Sequence, residues 1–243
     1  MAEFEDRYGQ PALDRFRTGK AYTVSQAARL AKTTPQTVRR WLLGYDAAGH
    51  RMVPVFGNKQ QQFQEAGFLV SFLELIEVVV VARFRHGLAS GHPVPLDRLR
   101  QAHAYARRAF DLPYPFASLN LRESGGHILH QFDEHNPDGP RLALDLQGQW
   151  ELPGIVRSEL QQMDFDTDHP QQDPFALRWF PQGRSVPIVV DPHIAAGRPT
   201  IYRRGITVET IAQRFHHGES VQDIADDYEI GRDLVEEALR YAA

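Results

Sequence analysis

The chain has 243 residues, 42% of them hydrophobic and 24% charged, with a net charge of −4 and no cysteine. That composition supports a globular chain with more than one core, and it excludes disulfides, cysteine–zinc sites and thiol redox sensing. Glu74, Glu77 and Arg83 interrupt the most apolar run, so no segment spans a bilayer, and the acidic start MAEFEDRYGQ is no secretory signal; a cytoplasmic location is the expectation.

The charge is unevenly spread. Between Arg15 and Lys59 there are nine Lys/Arg against the single acid Asp46, a net +8, which leaves −12 for the rest of the chain. Such an asymmetry points to an anion-binding module joined to an acidic remainder. Within the basic segment, YTVSQAARLAKTTPQTVRRWLLGY predicts two short helices. Thr23 with Gln26 three residues on is a capping-box pattern that starts a helix near Val24, and Val24, Ala27, Ala28 and Ala31 give it a face of small residues. Thr34 followed by Pro35 starts the second helix, because proline at the first helical position loses no hydrogen bond. There Val38, Trp41, Leu42 and Tyr45 make the apolar stripe, and Gln36, Thr37, Arg39 and Arg40 lie opposite. These side-chain types reach base edges and phosphates, and helix-turn-helix proteins present them early in the recognition helix. Two surface arginines on a plain helical hairpin are the alternative.

YTVSQAARLAKTTPQTVRRW resembles the start of a MerR-type winged helix-turn-helix. The resemblance implies that Arg39 contacts a phosphate and that Gln36 and Thr37 approach bases. The following GYDAAGHRMVPVFGNKQQQF stands where such proteins place the wing, a small hairpin over the neighbouring backbone, and Arg51 and Lys59 would serve there.

FLVSFLELIEVVVVARFRHGLASG reads as one helix from about Gly67 to about Ala89. Phe68, Phe72, Leu75, Ile76, Val79, Val80 and Phe84 form its apolar stripe, with Glu74, Glu77 and Arg83 outside it, although the four consecutive valines favour strand locally. VPLDRLRQAHAYARRAF is a second helix. MerR-like proteins dimerise through helices in this position, so the stripe is either a homodimer seam or an intramolecular core. From Leu112 to Gly183 the texture turns to Pro, Gly and short apolar pieces. HILHQF and RLALDL read as strands, Gln147-Gly148 as a hairpin turn, and MDFDTDHPQQDP as an exposed linker. His127, His130, Asp133 and His135 are close enough in sequence to be metal ligands, but strand alternation would send neighbours to opposite faces, so a histidine cluster without a metal is the expectation. There is no G-x-S-x-G, phosphate loop, H-E-x-x-H or dinucleotide turn, so neither an enzyme nor a cofactor is expected.

At the C-terminal end, VPIVV reads as a strand ending at Asp191-Pro192, followed by a turn at Gly197 and a second strand, PTIY. Three helices are predicted over Val208–His216, Val221–Tyr228 and Arg232–Ala242, capped by Thr207 and Ser220, with Ile211, Phe215, Val221, Ile224, Ala225, Tyr228, Leu234, Val235, Ala238 and Leu239 as the core. Ile188, Asp191, Pro192, Gly197, Pro199, Ile201, Gly218, Asp227 and Tyr241, among others, resemble the domain of unknown function 433 over residues 186–243, with RRG in place of that family's usual glycine–threonine–arginine step. The resemblance implies an antitoxin domain of the VapB type acting with a PIN-domain ribonuclease toxin of the VapC type; a purely structural dimerisation domain is the alternative. From Gly205 to Ala243 three arginines stand against nine acids, a net −6, which repels phosphates and suits a protein partner or self-association. The partner-binding candidates are Tyr202, Arg203, Arg204, Arg240 and Tyr241. Tyr and Arg are enriched among interface hot spots, and arginine pairs with the carboxylates of a metal-dependent nuclease. Tyr241 also fits a core position, three residues after Ala238.

The expectation is a mainly α chain with small β elements (α+β): a winged helix-turn-helix over residues 1–66, a helical dimerisation or linker region over 67–111, a small β-rich middle over 112–183 and a trihelical domain over 184–243. In function it reads as a homodimeric type II antitoxin that binds operator DNA at one end and its toxin at the other. A stand-alone MerR-like regulator sensing a small ligand is the other reading.

Overall fold

Capping chemistry sets the first elements. A computed structural model of the chain describes residues 11–47, 49–56, 68–86, 94–109, 111–138, 142–146, 149–151, 153–167 and 174–242. Helix α1 (Pro11–Thr18) leads into strand β1 (Lys20–Thr23), helix α2 (Val24–Leu30) and helix α3 (Pro35–Leu43). Thr23 Oγ1 accepts from the Gln26 N–H (3.2 Å) and Gln26 Oε1 accepts from the Thr23 N–H (2.8 Å), closing the predicted capping box. At the other end of α2, Lys32 takes left-handed backbone (φ 54), and the N–H groups of Lys32 and Thr33 satisfy the carbonyls of Arg29 and Ala28 (3.1 and 2.9 Å). Thr34 Oγ1 then caps α3 through the Thr37 N–H (3.2 Å). Gly44 ends α3 at φ 75, and a Cβ there would lie 2.3 Å from the Met52 carbonyl oxygen, so only glycine lets strands β2 (Tyr45–Ala47) and β3 (His50–Met52) fold back as a hairpin. Tyr45 therefore sits on β2, past the helix end, rather than extending the α3 stripe.

The chain divides into two compact units, one of residues up to 161 with 165–176, the other of residues 162–164 with 177–243. In the first unit, the long helix expected from Gly67 is shorter. Strand β4 (Leu69–Ser71) pairs antiparallel with β1, and helix α4 runs Phe72–His86; residues 67 and 87–89 lie outside the described residues. Helix α4 is buried all round, Leu73, Val78 and Val81 as fully as Phe72, Leu75, Ile76, Val79 and Val80. The stripe is thus covered within the chain, and it is not a free seam for a second copy. Glu74 and Glu77, placed outside the stripe by the pattern, are buried too. Lys20 Nζ reaches Glu74 at 2.5 and 2.6 Å, and His103 Nε2 lies 2.9 Å from Glu77 Oε1, so partners distant in sequence make carboxylates tolerable in the core.

Around α4 stand helix α5 (Leu96–Ala109), a 3-10 turn (Pro115–Ala117), helix α6 (Leu119–His135) and helix α7 (Gly154–Gln161). HILHQF, expected as a strand, lies inside α6. Leu121, Gly125, Ile128, Leu129 and Phe132 are buried at helical spacing, and that longer period overrides the six-residue reading. His127, His130, Asp133 and His135 do not converge. His127 and His135 are exposed, whereas Asp133 is buried and receives Arg98 Nη2 (2.6 Å) and the N–H groups of Leu142 and Ala143 (2.7 and 3.1 Å). Strand β5 (Leu144–Leu146) pairs antiparallel with β6 (Gln149–Glu151); the Gln147-Gly148 turn lies outside the described residues. Strand β7 (Met163–Phe165) occupies the start of the expected linker, with Met163 and Phe165 buried, and pairs with β8 (Ala176–Trp179). The division between the units falls within these two strands.

In the second unit, strands β9 (Ile188–Val189) and β10 (Thr200–Ile201) pair antiparallel ahead of helices α8 (Val208–His216), α9 (Val221–Asp227) and α10 (Arg232–Ala242). Ala195, Ala196 and Gly197 between the strands all take left-handed backbone (φ 49, 53 and 74). Ile188, Ile201, Val208, Ile211, Ile224, Ile230, Val235 and Ala238 form the core. Phe215 is not part of it. It is 44% exposed on the last turn of α8, where the chain breaks away at Gly218 (φ 95). Among the described residues no helix is long and apolar enough to cross a membrane.

Candidate nucleic-acid interface

Packing of α2 against α3 buries Ala27, Ala28, Val38, Trp41 and Leu42 and so fixes which side of α3 faces solvent. Gln36, Arg39 and Arg40 are exposed there. Thr37 is half-buried, its hydroxyl 2.8 Å from that of Thr34, so capping occupies part of its hydrogen-bonding capacity. The Arg40 guanidinium stacks over Tyr45 of the hairpin, 4.9 Å from the ring centroid. Arg51 pairs with Asp46 across the hairpin (3.2 Å) and donates to the Leu43 carbonyl (3.0 Å), which ties the hairpin to the end of α3. Lys59 lies outside the described residues.

The basic segment does not present all its charge. Arg17 is buried against Asp166 (3.2 Å) and Lys20 is held by Glu74. Arg15, Arg29, Lys32, Arg39 and Arg40 remain exposed, with no carboxylate partner among the described residues. Unneutralised cations on and beside an exposed helix are what a polyanion needs. Beside α3 lies a cleft of about 340 Å³ lined by Thr33, Thr37, Arg40, Trp41, Tyr45 and Arg85, among others. Arg85 comes from the last turn of α4, its Nη1 donating to the Val94 carbonyl (2.8 Å). Nothing local in the sequence marks Arg85, because only the tertiary fold brings α4 to α3.

In the second unit, Tyr202 is half-buried, packed edge-on against Phe180 (centroids 5.2 Å apart) and under the Arg203 guanidinium (5.2 Å). Arg203 and Arg204 are exposed, Arg203 with φ 64. Arg240 pairs with Glu236 (3.8 Å) and Glu237 on its own helix, and Tyr241 packs half-buried against the core. Arg214, which no local pattern in the sequence marks, joins α8 to α9 by binding Glu219 and Asp227 (2.6 Å to the latter) and stacking on Tyr228 (5.0 Å). Its hydrogen bonds to Glu219, Tyr228 and Asp227 hold the guanidinium above its ordinary value, and the same Arg214 bond holds the Glu219 carboxyl below the ordinary carboxylate value.

Residues 188–242 match a known family. Its model is described as Protein of unknown function (DUF433), and the match covers the strand pair and all three helices of the second unit. Over the longer chain, the sequence is 24% identical across 229 residues to the Mycobacterium tuberculosis protein named "Putative antitoxin VapB45", covering 90% of this chain and 92% of that protein. It is 25% identical across 244 residues to "Uncharacterized protein Rv2308" of the same organism, covering 94% and 91%. The crystal structure of Rv2018 from Mycobacterium tuberculosis has the same fold, with a TM-score of 0.74 at 24% identity over 92% of this chain and 99% of that one.

Proposed function

We propose that this chain is an antitoxin of a type II toxin–antitoxin pair, without enzymatic activity. In this reading it binds operator DNA through the helix-turn-helix of residues 23–52 and a PIN-domain ribonuclease toxin through its second unit. The observation that carries the DNA half is the exposed pair Arg39 and Arg40 on a capped helix, with a hairpin behind it and no carboxylate partner for either among the described residues. A near full-length relative named as an antitoxin supports the toxin half. Phosphate contact falls to Arg39 and Arg40, and base contact to Gln36 and Thr37.

Fluorescence anisotropy with duplexes from upstream of the gene tests the first half. Arg39→Ala weakens binding to every duplex alike and lowers the salt slope by about one, whereas Gln36→Ala relaxes discrimination between sequences by about 1–3 kcal/mol. Equal binding by wild type and Arg39→Ala removes the assignment. Co-expression of the neighbouring reading frame with Tyr202→Ala and Arg204→Glu variants tests the second half; undiminished rescue of growth moves the toxin contact elsewhere. The cleft lined by Arg40 and Arg85 favours a second reading, a regulator whose small anionic ligand sits beside the recognition helix.

A further inference from the structure

The chain contains the same helix-turn-helix frame twice, with the charge reversed. Thr23 and Ser220, 197 positions apart, each close a capping box with the residue three places on, Gln26 and Asp223. Helices α2 and α9 both run seven residues. Lys32 and Glu229, again 197 apart, both take left-handed backbone (φ 54 and 52). The turns close through the same bonds: Thr33 N–H to the Ala28 carbonyl (2.9 Å) and Ile230 N–H to the Ala225 carbonyl (3.0 Å). The following helix begins three residues later in each case, at Pro35 and Arg232. Buried positions also fall in register, Ala27 with Ile224, Ala28 with Ala225, Val38 with Val235 and Trp41 with Ala238.

On the solvent side the correspondence inverts. Arg29 stands where Asp226 stands in the second frame, Lys32 where Glu229 stands, Arg39 where Glu236 stands and Arg40 where Glu237 stands. Residues 23–44 hold four cations and no acid; residues 220–241 hold seven acids and two cations. The first three pairs are exposed on both sides. Two arrays of opposite sign are therefore carried at the same spacing on the same backbone.

We propose that the acidic helix-turn-helix of one copy docks on the basic helix-turn-helix of a second copy, and that this contact competes with DNA for the recognition helix. The docking stands on the charge-reversed frame alone; the competition rests on the DNA reading above. Exposed ion pairs are individually weak and are screened by salt, so the contact is weak and salt-dependent. The denser charge of a duplex displaces it. At low concentration the helix is free for DNA, and at high concentration a second copy covers it.

Charge exchange in the full-length protein tests this. The variant R29D/K32E/R39E carries two acidic frames, and D226R/E229K/E236R carries two basic ones. Sedimentation velocity at 50 mM salt, from about 5 to 200 µM, shows concentration-dependent association of wild type that falls severalfold at 300 mM. Each variant alone loses it, and an equimolar mixture of the two regains it at least to the wild-type level. The neutral pair R39Q and E236Q, each weakening association about twofold or more, gives the same answer should a triple variant fail to melt like wild type. Absence of salt-sensitive association in wild type overturns the proposal, as does a mixture that stays as dissociated as its components. DNA binding is read separately: if wild type binds no duplex while the mixture associates, the DNA reading falls and the docking stands.

Discussion

Replacing Asp133 by alanine removes a carboxylate that does two things in the core of the first unit. It neutralises Arg98, whose side chain is about 5% exposed, and it accepts the N–H groups of Leu142 and Ala143 where the chain leaves α6 for β5. Breaking one partner of a buried pair costs about 3–5 kcal/mol, because the remaining charge stays desolvated. The two N–H groups add about 1–3 kcal/mol each unless water enters the gap. Against these, Arg98 keeps its bonds to the carbonyls of Asn136 (2.5 Å) and Asp138 (3.3 Å) and its stacking over Phe132 (4.6 Å). We expect a net loss of about 4 kcal/mol, a large part of the roughly 5–15 kcal/mol by which domains are stable. Asp133→Asn keeps an acceptor in place and loses about half as much. The double variant Arg98→Met/Asp133→Leu is more stable than Asp133→Ala, because no charge is left stranded. Urea unfolding followed by far-ultraviolet circular dichroism measures all three. A loss below about 1 kcal/mol in Asp133→Ala would mean that the pair is not buried in solution and that the ordering of α6 against α5 rests on something else.

Four further outcomes follow from single sites. Val79→Asp unfolds the first unit, seen as loss of its thermal transition, because no apolar seam on α4 is open to solvent; a folded, soluble variant contradicts the packing. Burial first, and then the charges of Glu74 and Glu77, push the Tyr114 hydroxyl up to about 12, so the neutral form is favoured in the folded state. The stability this gives is complete below pH 10 and is lost between about 10 and 12; Tyr114→Phe flattens that loss in alkaline melting curves. Ala196→Gly, relieving a left-handed alanine (φ 53), raises stability by about 0.5–1 kcal/mol in a chemical melt, the strain relieved being partly offset by glycine's freer unfolded chain. Thr34→Ala removes the cap of α3 and lowers stability by about 1 kcal/mol; on the proposed function, DNA affinity drops with it as α3 frays.

What the sequence made legible was what neighbouring residues decide. Thr23 with Gln26, Thr34 with Pro35, and Ser220 are cues contained in at most four consecutive residues, and the helices they start lie where the pattern puts them. What it hid depends on residues far apart. Glu74 looks like a solvent-facing acid until Lys20, 54 positions earlier, folds onto it; Asp133 looks like one more polar residue of a metal-free histidine cluster until Arg98 arrives from α5. HILHQF misleads because the Gly125-Gly126 pair just before it weakens the helical signal, while the helix itself is held by burial of Ile128, Leu129 and Phe132. In the site, Gln36, Arg39 and Arg40 are readable from periodicity, whereas Arg85 belongs to the same cleft only in three dimensions.

The burial of α4 has a consequence for how the chain is made. The helix is complete at His86, but part of its cover arrives much later: Arg83 waits for Glu159 on α7, which it meets at 2.5 Å. They stand 76 positions apart, and at roughly 5–20 residues per second the ribosome needs on the order of 4–15 s to supply that length. Throughout that interval the four consecutive valines and their flanking aromatics are out of the ribosome without their final covering. A nascent chain of this kind is a natural client for chaperones that hold apolar segments. Pausing translation once α4 has left the exit tunnel but before α7 is made, at about residue 130, should increase aggregation, while the same pause at about residue 200, with α7 outside, should leave the yield unchanged.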